Sequence, residues 1–271
     1  MSKKRSFIIV KVLMVTLFKQ AISILRAFGL REALRRATYY WASIVLHSER
    51  LYQKPIIACI VNYAKDYPTF IDIGACRGTI TVAVSHLFDR CIAIEPLPEN
   101  FSQLLSNVLA HKVKNCICLP LALDEKPGAK TIYYSPRNTD TASLVSGLLS
   151  CEASKEKLVK TDTLDEVIKK NNVKEPYLIK IDVQGYEFKV FKGGKETLSK
   201  KCLIISEFWP FGLKSAGDDP FQYIEFMKKL GYQTYELHGA SLSASKLARL
   251  CKLGIHDPFV VMDVLFIKNR L

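Results

Sequence analysis

From Tyr67 onward, short apolar runs of strand character alternate with stretches of helical periodicity, and this alternation leaves few architectures open. Runs at 69–74, 91–95, 116–121, 177–183, 202–207 and 260–268 read as buried strands, with a shorter one at 232–237. Between them, residues 98–110 carry Phe101, Leu104, Leu105 and Val108 at helical spacing behind Pro98, which suits a first turn. Residues 187–199 read as another helix. A third covers 220–230, with Asp219 as N-cap and Gly231 past its end. Strands separated by helices pair through crossovers, so the pattern predicts a parallel sheet with helices on both faces. In such a sheet ligands bind beyond the carboxyl ends of the strands, near the point where strand order reverses.

Residues 124–160 break the pattern. "DEKPGAK" reads as a hairpin turn, "TIYYSP" as a short strand and "RNTDTASLVSG" as a polar loop. Together they predict an insertion over the sheet edge or the mouth of the site, a usual place for substrate contacts.

The stretch "FIDIGACRGT" at 70–79 ends the first strand in a turn holding Asp72, Gly74, Ala75 and Gly78. Gly74 permits a sharp exit that a Cβ would crowd, and Gly78 lets the next helix start close to a ligand. The spacing D-x-G-x-x-x-G lacks the second glycine of the dinucleotide fingerprint, and no Lys-Ser/Thr closes it as a phosphate loop. Glu95 ends the second strand, 21 residues after Gly74. A carboxylate there accepts hydrogen bonds from the two hydroxyls of a ribose. With Asp72 adding negative charge, the pair suits S-adenosylmethionine, whose sulfonium and ammonium are positive. The competing reading is an ordinary glycine-containing turn beside a surface Glu.

The segments "FIDIGACRGTITVAVS", "IAIEPLPENFSQLLSNV", "LPLALDEKPG", "VKTDTLDEVI", "LIKIDVQGYEFKVFKGGKETL" and "LIISEFWP" follow one another in an order that resembles the FkbM-type methyltransferases. The resemblance covers about residues 66–236. It implies a class I, Rossmann-like, mostly parallel seven-stranded sheet that binds S-adenosylmethionine. It also implies O-methylation of hydroxyls on sugars, glycans or natural products. Cys76 stands where the family more often has Asn, and Gln184 where Glu is commoner. The adenine is expected near Leu121, Ala122 and Asp124, with Ala75 and Ala122 among the cofactor contacts.

Methyl transfer needs an acceptor oxygen in line with the donor and a group that takes its proton. "LIKIDVQGYE" at 178–187 sets Lys180 and Asp182 on one strand face, and Glu207 ends the following strand. Asp182 is expected as base or orienting group, Glu207 as its partner and Lys180 as an ion-pair partner of one of these acids. The alternative is a structural charge network, because polar groups on a buried strand must be paired in any case. Two acids on adjacent strand ends also suit Mg²⁺ with waters, and the metal is left unassigned. Phe208, Trp209 and Phe211 either wall the acceptor pocket or pack the next helix. His47, His86, His111, His238 and His256 show no metal spacing; His238, just past a strand end, is within reach of the site or solvated.

The net charge of +13 is unevenly spread. Residues 1–60 hold 11 Lys and Arg against Glu32 and Glu49, so they carry +9 and the rest of the chain +4. "FIIVKVLMVTLF" at 7–18 is too short to span a bilayer and contains Lys11. It reads as a basic amphipathic helix for an anionic membrane surface, or as one packed on the domain. A cleaved signal peptide is an open alternative, and a second helical stretch is expected at about 31–50. No nucleic-acid motif accompanies the charge. The expected division is a basic helical segment, 1–65, and a methyltransferase domain, 66–271. Eight cysteines without a CxxC pair suit reduced thiols in a cytoplasmic protein. Two competing functions are a binding protein that keeps the fold without catalysis and an NAD-dependent oxidoreductase. The presence of Asp182 and Glu207 counts against the first, and Cys76 against the second.

Overall fold

The computed structural model describes residues 19, 22–27, 29–30, 49–148 and 154–268. The helical segments expected at 7–18 and, for the most part, at 31–50 lie outside these residues. Residues 22–27 are helical, and Ala27 is buried in the main core. Among the described residues the first long helix, α1 (Glu49–Tyr63), lays Ile56, Cys59 and Ile60 on the sheet against Phe70, Leu178, Leu203 and Leu265.

The alternation read from the sequence folds as expected. Strands β1 (Thr69–Ile73), β2 (Arg90–Ile94) and β3 (Cys116–Leu119) are linked by helices α2 (Thr79–Val84) and α3 (Pro98–Ala110). Two further strands, β4 (Ala122–Leu123) and β5 (Gly128–Ser135), precede β6 (Asn138–Ser143) and β7 (Lys155–Asp162). After helix α4 (Leu164–Lys170) come β8 (Tyr177–Ile181), α5 (Glu187–Lys192), α6 (Lys195–Ser199) and β9 (Cys202–Phe208). The chain ends with α7 (Pro210–Ser215), α8 (Pro220–Lys229), β10 (Tyr232–Glu236), α9 (Ala244–Gly254) and β11 (Met262–Lys268).

The seven-stranded sheet has the order β10-β11-β9-β8-β1-β2-β3, all parallel except β11, which runs antiparallel to both neighbours. This is the class I methyltransferase order that the resemblance implies. Strand order reverses between β1 and its neighbours β2 and β8. Ile73 pairs with Ile94 on one side and Ile181 on the other. The next residue of each strand, Gly74, Glu95 and Asp182, therefore stands level at one edge. β1 and β8 are buried along their whole length, as a central strand covered on both faces must be.

Three local expectations are corrected. "DEKPGAK" does not close a hairpin: a second sheet has the order β4-β7-β5-β6, so β7 lies between the two strands the turn joins. The segment expected as a polar loop from Arg137 contains strand β6, antiparallel to β5. The helix expected at 187–199 is broken into α5 and α6 at Gly193 and Gly194. A Cβ on Gly193 would lie 2.1 Å from the Asp124 carbonyl oxygen, so only glycine fits where α5 ends against the residue after β4.

Candidate active site

The turn after β1 is held by its own backbone. Gly74 and Ala75 both donate their N–H to the Ile94 carbonyl, each at 3.0 Å. Gly74 has φ +76°, and a Cβ on it would sit 1.9 Å from the carbonyl oxygen of Asp182. The glycine is thus required by the neighbouring strand end. Gly78 has φ +79°, and a Cβ there would meet Leu104 Cδ1 at 2.5 Å, so the glycine also lets α2 and α3 approach each other. The side chain of Ala75 is buried in the same interface with Leu104 and Val108.

Glu95 is buried at the end of β2. Its Oε2 accepts from the Cys76 N–H at 2.9 Å, and its Oε1 from the Leu97 N–H at 2.9 Å. Burial pushes its carboxyl up to about 7, although the bonds from Leu97 and Cys76 and the nearby Asn100 amide pull the other way. Each oxygen keeps acceptor capacity beyond its one backbone donor.

Asp72 lies beneath the turn and is buried. Its Oδ2 accepts from Thr81 Oγ1 at 2.5 Å, and its Oδ1 lies 3.6 Å from Lys180 Nζ. Lys180, in register with Asp72 on β8, donates to the Gly74 carbonyl at 3.2 Å and lies 3.7 Å from Asp182 Oδ2. Burial pulls its ammonium down, but Asp182, Asp72, Asp263 and Glu207 outweigh that and hold it above its ordinary value. The expected ion pair of Lys180 is therefore present, with Asp72 joined to it.

Asp182 reaches solvent, its side chain 33% exposed, and Glu207 beside it is half-buried. The next positions turn sharply: Gln184 has φ +54° and Gly185 φ +92°. The buried Glu187 fixes this turn, its Oε1 accepting from Val183 N–H at 3.0 Å and Gly185 N–H at 3.2 Å. Burial pushes Glu187 up to about 7. Gln184 Nε2 donates to Asp182 Oδ1 at 2.7 Å and reaches Glu207 Oε2 at 3.4 Å. Glu207 is raised well above its ordinary value by burial, then by the charges of Asp182, Glu187 and Asp263, against the pull of Lys180. It stands opposite Asp263 on β11.

The surroundings of the other expected residues are as follows. Ala122 turns its side chain into a small core with Leu97, Ile132, Tyr134 and Val159. Asp124 accepts from Tyr186 Oη at 3.0 Å and pairs with Lys130 at 2.9 Å. Phe208 is buried and stacks on Tyr223 at 5.8 Å, so it packs the core. Trp209 is anchored through its indole N–H to the Pro258 carbonyl at 2.9 Å. His238 is exposed and pairs with Glu236.

Sequence reasoning missed the role of β6. Asn100 Nδ2 donates to the Thr139 carbonyl at 3.1 Å, and Arg77 pairs with Asp140 at 2.8 Å. The Cys76 thiol donates to the same Asp140 at 3.2 Å, and Ser143 Oγ donates to the Gln184 carbonyl at 2.8 Å. β6 thus bridges the turn after β1 and the turn after β8. Its polar composition was visible in the sequence, but not its partners.

A model of the methyltransferase FkbM domain matches residues 72–234, more than half of the chain. The chain is 26% identical over 168 residues to the hexuronic acid methyltransferase AglP of Haloferax volcanii, covering 62% of this chain and 64% of that relative. Among solved structures, an O-methyltransferase from Bacillus cereus in complex with S-adenosylhomocysteine superposes with a TM-score of 0.43 at 12% identity, covering 86% of this chain and 88% of that one. An rRNA methylase from Streptococcus thermophilus gives 0.43 at 9% identity, covering 79% and 94%. The family model spans the turn after β1, Glu95, Asp182 and Glu207, and on that match the chain belongs to the FkbM methyltransferase family.

Proposed function

We propose that this protein transfers a methyl group from S-adenosylmethionine to a hydroxyl of a sugar or glycan. The observation that carries this reading is the level edge formed by Gly74, Glu95 and Asp182, which sets a carboxylate able to accept from ribose hydroxyls beside a turn and a second acid. The donor set fits the cofactor: a buried carboxylate with spare acceptor capacity beside the turn, and the solvent-reaching Asp182 next to it. When bound, the cofactor supplies an electrophilic methyl on a sulfonium. Glu95 holds the ribose diol. Asp182 orients the acceptor hydroxyl and takes its proton, while Lys180 stands behind its other oxygen. Glu207, whose carboxyl is raised well above its ordinary value by burial and then by the charges of Asp182, Glu187 and Asp263, stands beside it. The sugar class draws support from the relative that acts on hexuronic acid.

Incubating the protein and a cell extract with methyl-labelled S-adenosylmethionine is expected to label a saccharide-containing product. Tight NAD binding in calorimetry, with no response to S-adenosylmethionine or S-adenosylhomocysteine, would overturn the reading.

Among the described residues no helix is long and apolar enough to cross a membrane. We propose attachment to an anionic membrane surface through residues 1–60, supported by their charge of +9. The full chain should then sediment with phosphatidylserine vesicles in low salt and not with phosphatidylcholine vesicles. Equal sedimentation with both would refute it.

A further inference from the structure

Gln184 adopts a left-handed backbone conformation that a non-glycine residue avoids unless its surroundings enforce it. Here three contacts do so. The Glu187 carboxylate holds the N–H groups on either side, Val183 and Gly185; Ser143 binds the Gln184 carbonyl; and the side-chain amide lies between Asp182 and Glu207. The amide turns its NH₂ toward the Asp182 carboxylate at 2.7 Å, because its carbonyl would be repelled there, and the same NH₂ reaches Glu207 at 3.4 Å.

We infer that Gln184 is a positioning residue whose amide clamps Asp182 and Glu207 side by side, doing for these two acids what a bridging divalent cation would do. The inference rests on the proposed methyl transfer only for its kinetic arm. Asp182 Oδ1 is gripped by the amide, and Oδ2 faces Lys180. That fixes the plane of the carboxylate and so the direction in which it meets an acceptor hydroxyl. The remaining titratable neighbours are Asp72 on β1, Glu187 on α5, Glu207 on β9 and Asp263 on β11, all acids. Carboxylates in such numbers attract hard cations. An amide N–H aimed at the oxygens a cation would need disfavours one.

Two variants test this. Gln184→Asn keeps a residue type that tolerates the left-handed conformation, so it should fold, but it is one methylene too short to span both acids. It is expected to lower kcat roughly tenfold while the Kd for S-adenosylhomocysteine and the KM for acceptor stay within about twofold. A merely structural turn residue would instead leave kcat unchanged in the folded variant, and that result overturns the inference. Gln184→Glu adds a third carboxylate. Mn²⁺ titrated into this variant, followed by its paramagnetic resonance signal, should bind at least about tenfold more tightly than to the unaltered protein. Equal Mn²⁺ binding by both proteins overturns the inference. The Mn²⁺ titration needs no turnover, so it decides the matter even if the unaltered protein transfers no methyl group.

Discussion

Asp182→Asn is expected to lower kcat by about 10²–10⁴-fold, the usual worth of a positioned base, with the Kd for S-adenosylhomocysteine within about twofold of the unaltered protein. Asn has the same shape, and its carbonyl still accepts from the Gln184 amide. What it lacks is the capacity to take a proton. Its NH₂ also faces Lys180, but that ammonium keeps Asp72 at 3.6 Å and the Gly74 carbonyl at 3.2 Å. The turn that holds the cofactor is therefore expected to survive. Single-turnover methyl transfer and calorimetry read the two quantities separately. Full activity in this variant would remove Asp182 from the chemistry. An equal loss in binding and turnover would make it part of the structural network with Lys180.

Replacing Glu95 by Ala should weaken S-adenosylhomocysteine binding by about 10–100-fold, the range for losing hydrogen bonds to a charged acceptor. The side chain also accepts from Cys76 and Leu97, so the same change leaves two backbone N–H groups without their partner. Each such group costs about 1–3 kcal/mol if it stays buried, and a lower melting temperature should accompany the weaker binding. The pH dependence carries the sharper signature. Glu95 is pushed from an ordinary value near 4.5 up to about 7. A raised carboxyl contributes stability that is fully present below its unfolded value and is lost as pH rises through about 7. Ribose binding prefers the charged form, so it runs the other way. Affinity for S-adenosylhomocysteine should rise between about pH 6 and 8 in the unaltered protein and stay flat in Glu95→Ala. A ligand affinity independent of pH over that window would remove Glu95 from the ribose site.

The parts of this protein legible from its residue order are those governed by short-range physics. Buried parallel strands demand continuous apolar runs, and β1, β2, β8 and β9 were all located within two residues of their observed ends. Glu95 and Asp182 were legible for a related reason: each immediately follows a strand, and parallel strands in register bring such residues to one edge. Lys180 was expected to pair with an acid, since a lysine in a buried strand has no alternative.

The missed features all depend on residues distant in the chain. Gly78 also lies against Leu104, and Gly193, at the break between α5 and α6, lies against the carbonyl of Asp124. Asn100 meets Thr139, Cys76 meets Asp140, and Ser143 meets Gln184. β6 looked like a loop because its side chains are polar and its burial is incomplete, so no apolar alternation announced it. Its strand conformation comes from pairing with β5, whose position is set in turn by β7, a strand that arrives only at Lys155.

The order of apolar and polar residues along the chain was thus sufficient for the strands of the large sheet, the helices at 98–110 and 220–230 and the two acids at the sheet's edge, because periodicity and burial act between near neighbours. Which groups grip those acids, and which strand bridges the two turns beside them, was decided by tertiary structure. Hydrogen bonds between residues roughly forty or more apart exist only once the sheets have met, and no local preference encodes them.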